Sequence, residues 1–342
     1  MTYYERPMEK EAETLPPTNG TLAFVLNQIV IEAKLPYELA PDCFIDKATE
    51  EQRERIKSTL NGNLGTSSWI RPSSLYECET ICKKDGSGTK SHQQPLTESE
   101  WRYYVVSTPD NGLTSFNLHL ASNISDTPLE LSGLYFHMSG GAGERTVMGT
   151  GTRLAILQNQ FSIPVFAPAK RVSRECLDAI REIYSRFVEF ADGIGGVTPF
   201  PEIQRAMQMY DSLNLLLENS DFHVLGLFAI IEMLITHNPK LEDRGDTITH
   251  QMQSKIPLLS HRFERALDYA SFFPNRTEKK IWAALYKYRS ALAHGGTPDF
   301  QDADLRVLTD ANNAKAFLRE TVKALLRHSL KEPLLYKDLR AC

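Results

Sequence analysis

The sequence predicts an α+β protein with a β-rich N-terminal domain over residues 1–168 and a helical C-terminal domain over residues 169–342. Before residue 168, short runs of β-branched and aromatic residues are broken by turn-forming segments, which is typical of strands. From Ser173 onward, apolar residues recur with a spacing near that of an α-helix. The length of 342 residues fits two domains of ordinary size.

Six runs in the N-terminal half have the composition of β-strands. They are Leu22–Ile31, Trp101–Ser107, Ser115–Ala121, Leu129–His137, Arg153–Gln158 and Phe161–Phe166. A short polar helix is expected at Glu50–Leu60. The segments Asn61–Ser74 and Lys83–Pro95 are rich in Gly, Ser, Thr, Asn and Lys, and we expect them to be loops.

The C-terminal half is expected to contain seven helical segments joined by short links, which indicates a helical bundle. The first begins at Ser173 as an N-terminal cap and ends at Gly193. The others are Pro201–Leu217, Phe222–His237, Thr247–Leu259, Arg262–Phe272, Thr277–His294 and Asp302–Leu330. Pro257 is expected to end the fourth of them early.

Composition excludes several classes of protein. There are 38 Lys and Arg against 43 Asp and Glu, for a net charge of −5, so general coating of nucleic acid is excluded. The longest apolar run, Val224–Ile235, is interrupted by Glu232 and is too short to span a bilayer. Five thinly spread cysteines do not form a disulfide framework. We therefore expect a cytoplasmic protein with reduced thiols and no membrane partner.

No metal site or cofactor is expected from the sequence. Cys78 and Cys82 are separated by three residues, whereas paired zinc-binding cysteines usually have two between them. His92 is the only further ligand type nearby, so a complete set of four ligands is not available there.

The most informative pattern lies on the sixth predicted helix, where His294 follows Arg289 by five residues and precedes Gly295-Gly296. Arg289 lies at the edge of an apolar stripe formed by Ile281, Leu285, Tyr288 and Leu292. Residues five apart on an ideal helix lie about 140° apart, so a bend at the glycine end is needed to bring the imidazole toward the guanidinium. The glycines are expected to end the helix in a left-handed conformation.

These two residue types suit RNA cleavage without a metal. Arginine is always protonated and binds phosphate through a planar fork, and histidine titrates near neutral pH and acts as a base or an acid. Alternatively, Arg289 serves only as a partner in an ion pair, and His294 caps the last carbonyls of its helix. Both interpretations remain open at this point.

Three further side chains are candidates for the same site. Glu232 lies in an otherwise apolar helix, and a buried carboxylate needs a partner, for which Arg289 is the natural candidate and another basic residue the alternative. Lys287 is a candidate phosphate contact or a solvated surface residue. Tyr288, like Tyr286, is a candidate for stacking on a base or a residue of the core or of a dimer interface.

The arrangement of Arg289 and His294 on the penultimate helix of a helical bundle resembles the R-x4–6-H motif of the HEPN superfamily. Leu227–Leu234 resembles the "ALEALL"-type helix of its ApeA-like group, and the amphipathic segment Thr249–Leu259 resembles the helix after it. Tyr286–Gly295 resembles the "LYdlRskivHG" ending. The resemblance covers roughly residues 174–328. Many active HEPN nucleases carry Asn, Asp or His after the arginine, where this chain has Ser290.

The resemblance implies a metal-independent endoribonuclease that works as a homodimer, with Arg289 and His294 of both chains in one cleft. It implies RNA, tRNA included, as substrate and a role in bacterial anti-phage defence or toxin-like growth arrest. The N-terminal domain would sense a phage-derived trigger or hold the nuclease in check, and an antitoxin is a further expected partner. The alternative is a HEPN module that binds a nucleotide or a protein partner without catalysis. A purely structural scaffold is the third hypothesis.

Overall fold

A computed structural model describes residues 20–64, 75–82, 89–110, 113–132, 134–137, 147–149, 168–191, 199–217, 220–237 and 247–341. The predicted α+β class is confirmed, because an antiparallel sheet in the N-terminal region is followed by a mainly helical C-terminal region. The chain divides into two compact units, residues 1–118 with 129–177 and residues 119–128 with 178–342.

The first unit contains ten described strands and the helix α1 (Glu50–Leu64). The strands are β1 (Thr21–Phe24), β2 (Ile29–Ile31), β3 (Tyr37–Ala40), β4 (Cys43–Lys47), β5 (Tyr76–Cys82), β6 (Thr89–Pro95), β7 (Tyr104–Thr108), β8 (Leu134–His137), β9 (Val147–Gly149) and β10 (Lys170–Val172). One sheet has the order β3-β4-β7-β1-β8-β9, with antiparallel pairing throughout. The strands β2 and β10 pair in parallel, and β5 and β6 form an antiparallel ribbon.

Several strand predictions needed correction. The run Leu22–Ile31 forms two strands, β1 and β2, rather than one. The predicted loop Lys83–Pro95 contains β6, which is polar along its length and shows none of the alternation that marks a half-buried strand. The predicted strands Arg153–Gln158 and Phe161–Phe166 lie outside the described residues.

The predicted strand Ser115–Ala121 is wrong, because it is part of the helix α2 (Leu113–Asn123). Phe116, Leu118 and Leu120 alternate as in a strand, but Phe116 is 38% exposed. The buried positions Ser115, Leu118 and Ser122 instead follow helical spacing. Ser115 and Ser122 share the buried face with Leu118, so hydrophobicity alone indicated the wrong period.

The second unit is helical in its C-terminal part. Its described helices are α3 (Arg174–Ala191), α4 (Pro201–Leu213), α5 (Phe222–Ile235), α6 (Ile248–Ser260), α7 (Tyr269–Phe272), α8 (Glu278–Ala293), α9 (Ala311–Lys331) and α10 (Pro333–Leu339). The predicted cap of the first is confirmed, since the Ser173 hydroxyl accepts a hydrogen bond from the Cys176 N–H at 3.4 Å. Among the described residues, no helix combines the length and the apolar character needed to cross a bilayer.

Three helix predictions differ from the structure. The helix α6 continues through Pro257 to Ser260, and the buried side chains of Ile256 and Leu259 on either side offset the lost backbone hydrogen bond. Only Tyr269–Phe272 of the predicted helix Arg262–Phe272 is helical. The last long helix begins at Ala311 rather than Asp302, because the Asp310 carboxylate accepts a hydrogen bond from the Asn313 N–H at 2.8 Å and caps it there.

Phe317 on α9 is the centre of the aromatic core of this unit. Its ring centre lies 5.2 Å from that of Tyr269, 5.0 Å from that of Phe273 and 5.8 Å from that of Trp282. The Trp282 indole N–H donates a hydrogen bond of 3.0 Å to the Tyr269 hydroxyl, which satisfies the polar atom of the buried indole. This cluster joins α7, α8 and α9.

We expect Phe317→Ala to lower the free energy of unfolding by about 3–5 kcal/mol, because it removes a buried ring and leaves a cavity among aromatic neighbours. Phe222→Ala is the matched control, since that ring is 68% exposed and its loss should change the free energy by about 0.5 kcal/mol or less. Urea unfolding of both variants measures the difference. Equal losses would contradict the assignment of Phe317 to the centre of the core.

Candidate functional site

The rotation of α8 about its axis is determined by its buried face. The buried side chains are Ile281, Trp282, Ala284, Leu285, Tyr288 and Leu292. They repeat at helical spacing, so burying them against the rest of the unit leaves a single orientation for the helix. Arg289 follows Tyr288 directly and is therefore placed at the border of the buried face, where it is half-buried.

Arg289 reaches Glu232 on α5, as the sequence predicted. One terminal guanidinium nitrogen lies 3.3 Å from Glu232 Oε1 and 3.4 Å from Oε2. The guanidinium carbon also lies 5.8 Å from the centre of the Tyr286 ring, which is a cation–π distance. The Tyr286 ring in turn packs edge-on against Phe228 of α5 at 6.5 Å. The arginine is thus held by an acid on one helix and an aromatic ring on its own.

Glu232 occupies an environment that is unfavourable to a charge. Its side chain is 20% exposed, and burial raises the pKa of the carboxyl group above its ordinary value, while Arg289 acts in the opposite direction. Glu232 Oε1 and Arg289 Nε are both buried without a hydrogen-bond partner in the described part of the chain. The ion pair is therefore present but incompletely hydrogen bonded, and both groups keep unused capacity for a further contact.

His294 ends α8 at the position predicted for it. The Gly296 N–H donates to the Ala291 carbonyl at 2.9 Å, and the Gly295 N–H donates to the Leu292 carbonyl at 3.0 Å. This is the Schellman pattern, and Gly295 has the left-handed φ of 72° that it requires. The expected left-handed glycine is confirmed.

The imidazole of His294 is exposed and, within the described residues, makes no hydrogen bond or ion pair. Only the backbone N–H of His294 caps the helix, donating to the Ser290 carbonyl at 3.2 Å. The alternative in which the imidazole caps the last carbonyls is therefore wrong for this structure. Within the described residues, no hydrogen bond joins the side chains of Arg289 and His294.

The other candidate residues have different surroundings. The Lys287 ammonium is paired with Asp304 at 2.6 Å and with Asp302 at 3.2 Å, and these contacts raise its pKa. Tyr288 is 2% exposed and packs edge-on against Phe300 at 5.2 Å, so it belongs to the core of this unit. Ser290 is half-buried, one position after Arg289.

Two buried histidines with carboxylate partners were not found from the sequence. His119 Nε2 lies 2.9 Å from Asp211 Oδ1, which also accepts a hydrogen bond from Asn123 at 2.9 Å. His119 and Asp211 are too far apart in the chain for any sequence pattern to relate them. His328 Nε2 lies 3.3 Å from Glu332 Oε1, at an i, i+4 spacing that could have indicated the pair.

The described residues do not include a group of three or more His, Cys, Asp or Glu side chains arranged to hold a metal ion. Cys78 is buried in β5, and the paired strand β6 places His92 opposite Glu79. The side chains present at the end of α8 are a guanidinium, held by Glu232 of α5, and an exposed imidazole.

We expect the stability of the Glu232→Gln variant, relative to that of wild type, to increase as the pH rises. Burial in the native state raises the pKa of Glu232, so the folded wild type binds a proton more tightly than the unfolded chain does. The protonated carboxyl group therefore stabilises the folded wild type at low pH, and this contribution is lost as the pH increases through the raised pKa. Thermal unfolding between pH 4 and pH 8 measures the difference. Glu189→Gln, an exposed position on α3, controls for the change in net charge. A difference that shrinks with rising pH would contradict the burial of the carboxylate.

Comparison of this chain with protein-family models, with curated proteins and with solved structures gave no match in any of the three.

Proposed function

We propose that this protein is a metal-independent endoribonuclease of HEPN type, with Arg289 and His294 as its catalytic residues. The observation that carries the proposal is the placement of a half-buried guanidinium and an unengaged imidazole on the last turns of one helix. Both groups remain accessible, since the Arg289 side chain stays partly exposed beside Glu232 and the exposed imidazole has no partner among the described residues.

Arg289 binds the scissile phosphate in this proposal. Its side chain is 30% exposed, so part of the guanidinium reaches solvent while Glu232 and the Tyr286 ring orient the rest. A guanidinium held in one orientation loses less entropy on binding phosphate than a free one. Glu232 is therefore a positioning residue, and Ser290 lies beside the arginine on the same turn.

His294 transfers protons in this proposal. One imidazole removes the proton from the ribose 2′-hydroxyl, the 2′-oxygen attacks phosphorus, and the bond from phosphorus to the 5′-oxygen breaks. An acid then donates a proton to the departing 5′-oxygen. The products are a 2′,3′-cyclic phosphate and a 5′-hydroxyl, and no metal or cofactor takes part.

A second chain completes the site. One imidazole cannot readily serve as base and acid in a single step. A homodimer in which the two α8 ends face each other supplies two guanidinium groups and two imidazoles to one phosphate. The dimer is what the resemblance to HEPN nucleases implies, since their two motifs face one another.

The charges around the proposed site favour a folded RNA substrate over binding to any RNA. The chain carries a net charge of −5, and the nearest lysine on α8, Lys287, is neutralised by Asp302 and Asp304. A folded RNA such as a tRNA can satisfy such a site through geometry as well as charge. Within this proposal the protein acts in the bacterial cytoplasm in anti-phage defence or toxin-like growth arrest, controlled by a trigger or an antitoxin acting through the N-terminal unit.

The second candidate is a module that grips a phosphate without cleaving RNA. In it Arg289 and His294 hold the phosphate together, and Ser290, where many active HEPN nucleases carry Asn, Asp or His, favours it. It predicts tight nucleotide binding that depends on Arg289, without RNA cleavage.

We expect His294→Ala and Arg289→Ala each to reduce RNA cleavage in EDTA by at least about 100-fold, the usual scale for losing general acid–base or phosphate-binding catalysis. The matched control is His261→Ala, which removes another exposed histidine from the end of α6. Gel analysis of a tRNA pool with detection of 2′,3′-cyclic ends measures the effect. Undiminished cleavage by His294→Ala would refute the nuclease proposal, and nucleotide binding without cleavage by wild type would select the second candidate.

The composite site has its own test. We expect that adding excess Arg289→Ala/His294→Ala double variant to wild type lowers the activity per wild-type chain, because mixed dimers have half of the required groups. Analytical ultracentrifugation establishes the dimer before mixing. Activity that stays proportional to the wild-type chains alone would show that one chain is sufficient.

A further inference from the structure

A cavity of about 140 Å³ opens among the N-terminal end of α4, the C-terminal half of α5 and α10. Its apolar lining comes mainly from Phe200, Ile203, Met233, Leu234 and Tyr336. A protein cavity of about 150 Å³ is large enough to hold a benzene ring. The space therefore fits one small aromatic group.

The walls of this cavity are held in place before any ligand arrives. Pro201 and Pro333 occupy the first turns of α4 and α10, where a fixed φ restricts the backbone. The Tyr336 hydroxyl lies 3.1 Å from His328 Nδ1, which holds the orientation of its ring. Phe200 stacks on Phe190 with the ring centres 5.6 Å apart. A preorganised apolar pocket of this kind binds with little entropic cost.

The charged groups that line the cavity are two cations and one anion. Arg340 and Glu202 form an ion pair of 2.7 Å, and the hydrogen bond from Arg340 lowers the pKa of the Glu202 carboxyl group. Lys337 also lines the cavity, is exposed, and its charge likewise lowers the pKa of Glu202. Two cations against one anion give a lining with a net charge of +1.

We propose that this cavity is a binding site for a small aromatic carboxylate, with the ring against Phe200, Met233 and Tyr336 and the carboxylate at Lys337. The volume sets the size of the ring, the lining selects an apolar body, and the net charge of +1 favours a ligand with a single negative charge. The site is independent of the proposed nuclease, because none of its lining residues belongs to the pair Arg289–His294.

Calorimetric titration of the full chain with benzoate tests the proposal. Benzyl alcohol, which lacks the charge, and acetate, which lacks the ring, serve as comparison probes. We expect benzoate to bind more tightly than either. Lys337→Met should weaken benzoate by about tenfold and leave benzyl alcohol unchanged, since it removes only the charged contact. Lys279→Met, an exposed position on α8 away from the cavity, should leave both unchanged.

A second variant tests whether the aromatic probes bind inside this cavity. Met233→Trp should fill the space and abolish binding of both aromatic probes, and an unchanged far-UV circular dichroism spectrum confirms that the variant is folded. Failure of benzoate to bind wild type would overturn the proposal. Equal affinity for benzoate and benzyl alcohol, or benzoate binding unaffected by both Lys337→Met and Met233→Trp, would overturn it as well.

Discussion

The burial of one face of α8 is the constraint on which the rest of the helical unit depends. Trp282, Leu285 and Tyr288 pack into the core, and Trp282 contacts Phe317 of α9 and Tyr269 of α7. A helix with so much apolar surface on one side cannot rotate without exposing it to water. The direction in which Arg289 leaves the helix, and hence its meeting with Glu232, follows from this packing.

The pair Glu232–Arg289 differs from a well-formed buried salt bridge. Its nitrogen–oxygen distances of 3.3 and 3.4 Å are at the long end of the hydrogen-bond range, and one buried atom on each side has no partner among the described residues. Removing two charges from water without full hydrogen bonding is costly, so such pairs contribute little to stability.

The helix α5 contributes residues to two sites in the same unit. Glu232 faces Arg289 on α8, whereas Met233 and Leu234, the next two residues along the chain, line the cavity against α10. Consecutive residues on a helix point about 100° apart, so one strongly apolar helix can contribute to both without a break. The helix α5 is thus highly apolar because it makes contacts on several sides, and Glu232 is the one carboxylate in its sequence.

The sequence by itself determined the α+β class, most of the helices and the left-handed glycine after His294, because these depend on local periodicity, caps and backbone preferences. It also indicated Arg289 as the partner of Glu232, since a carboxylate in an apolar helix needs a cation. Only the tertiary structure decided that α2 is a helix with serines on its buried face, that Tyr288 lies in the core and that Lys287 is paired with two aspartates. It alone showed the His119–Asp211 contact and the cavity lined by Met233 and Lys337. These features join residues distant in the chain, and their contacts arise from how the helices pack, which no local pattern of residues encodes.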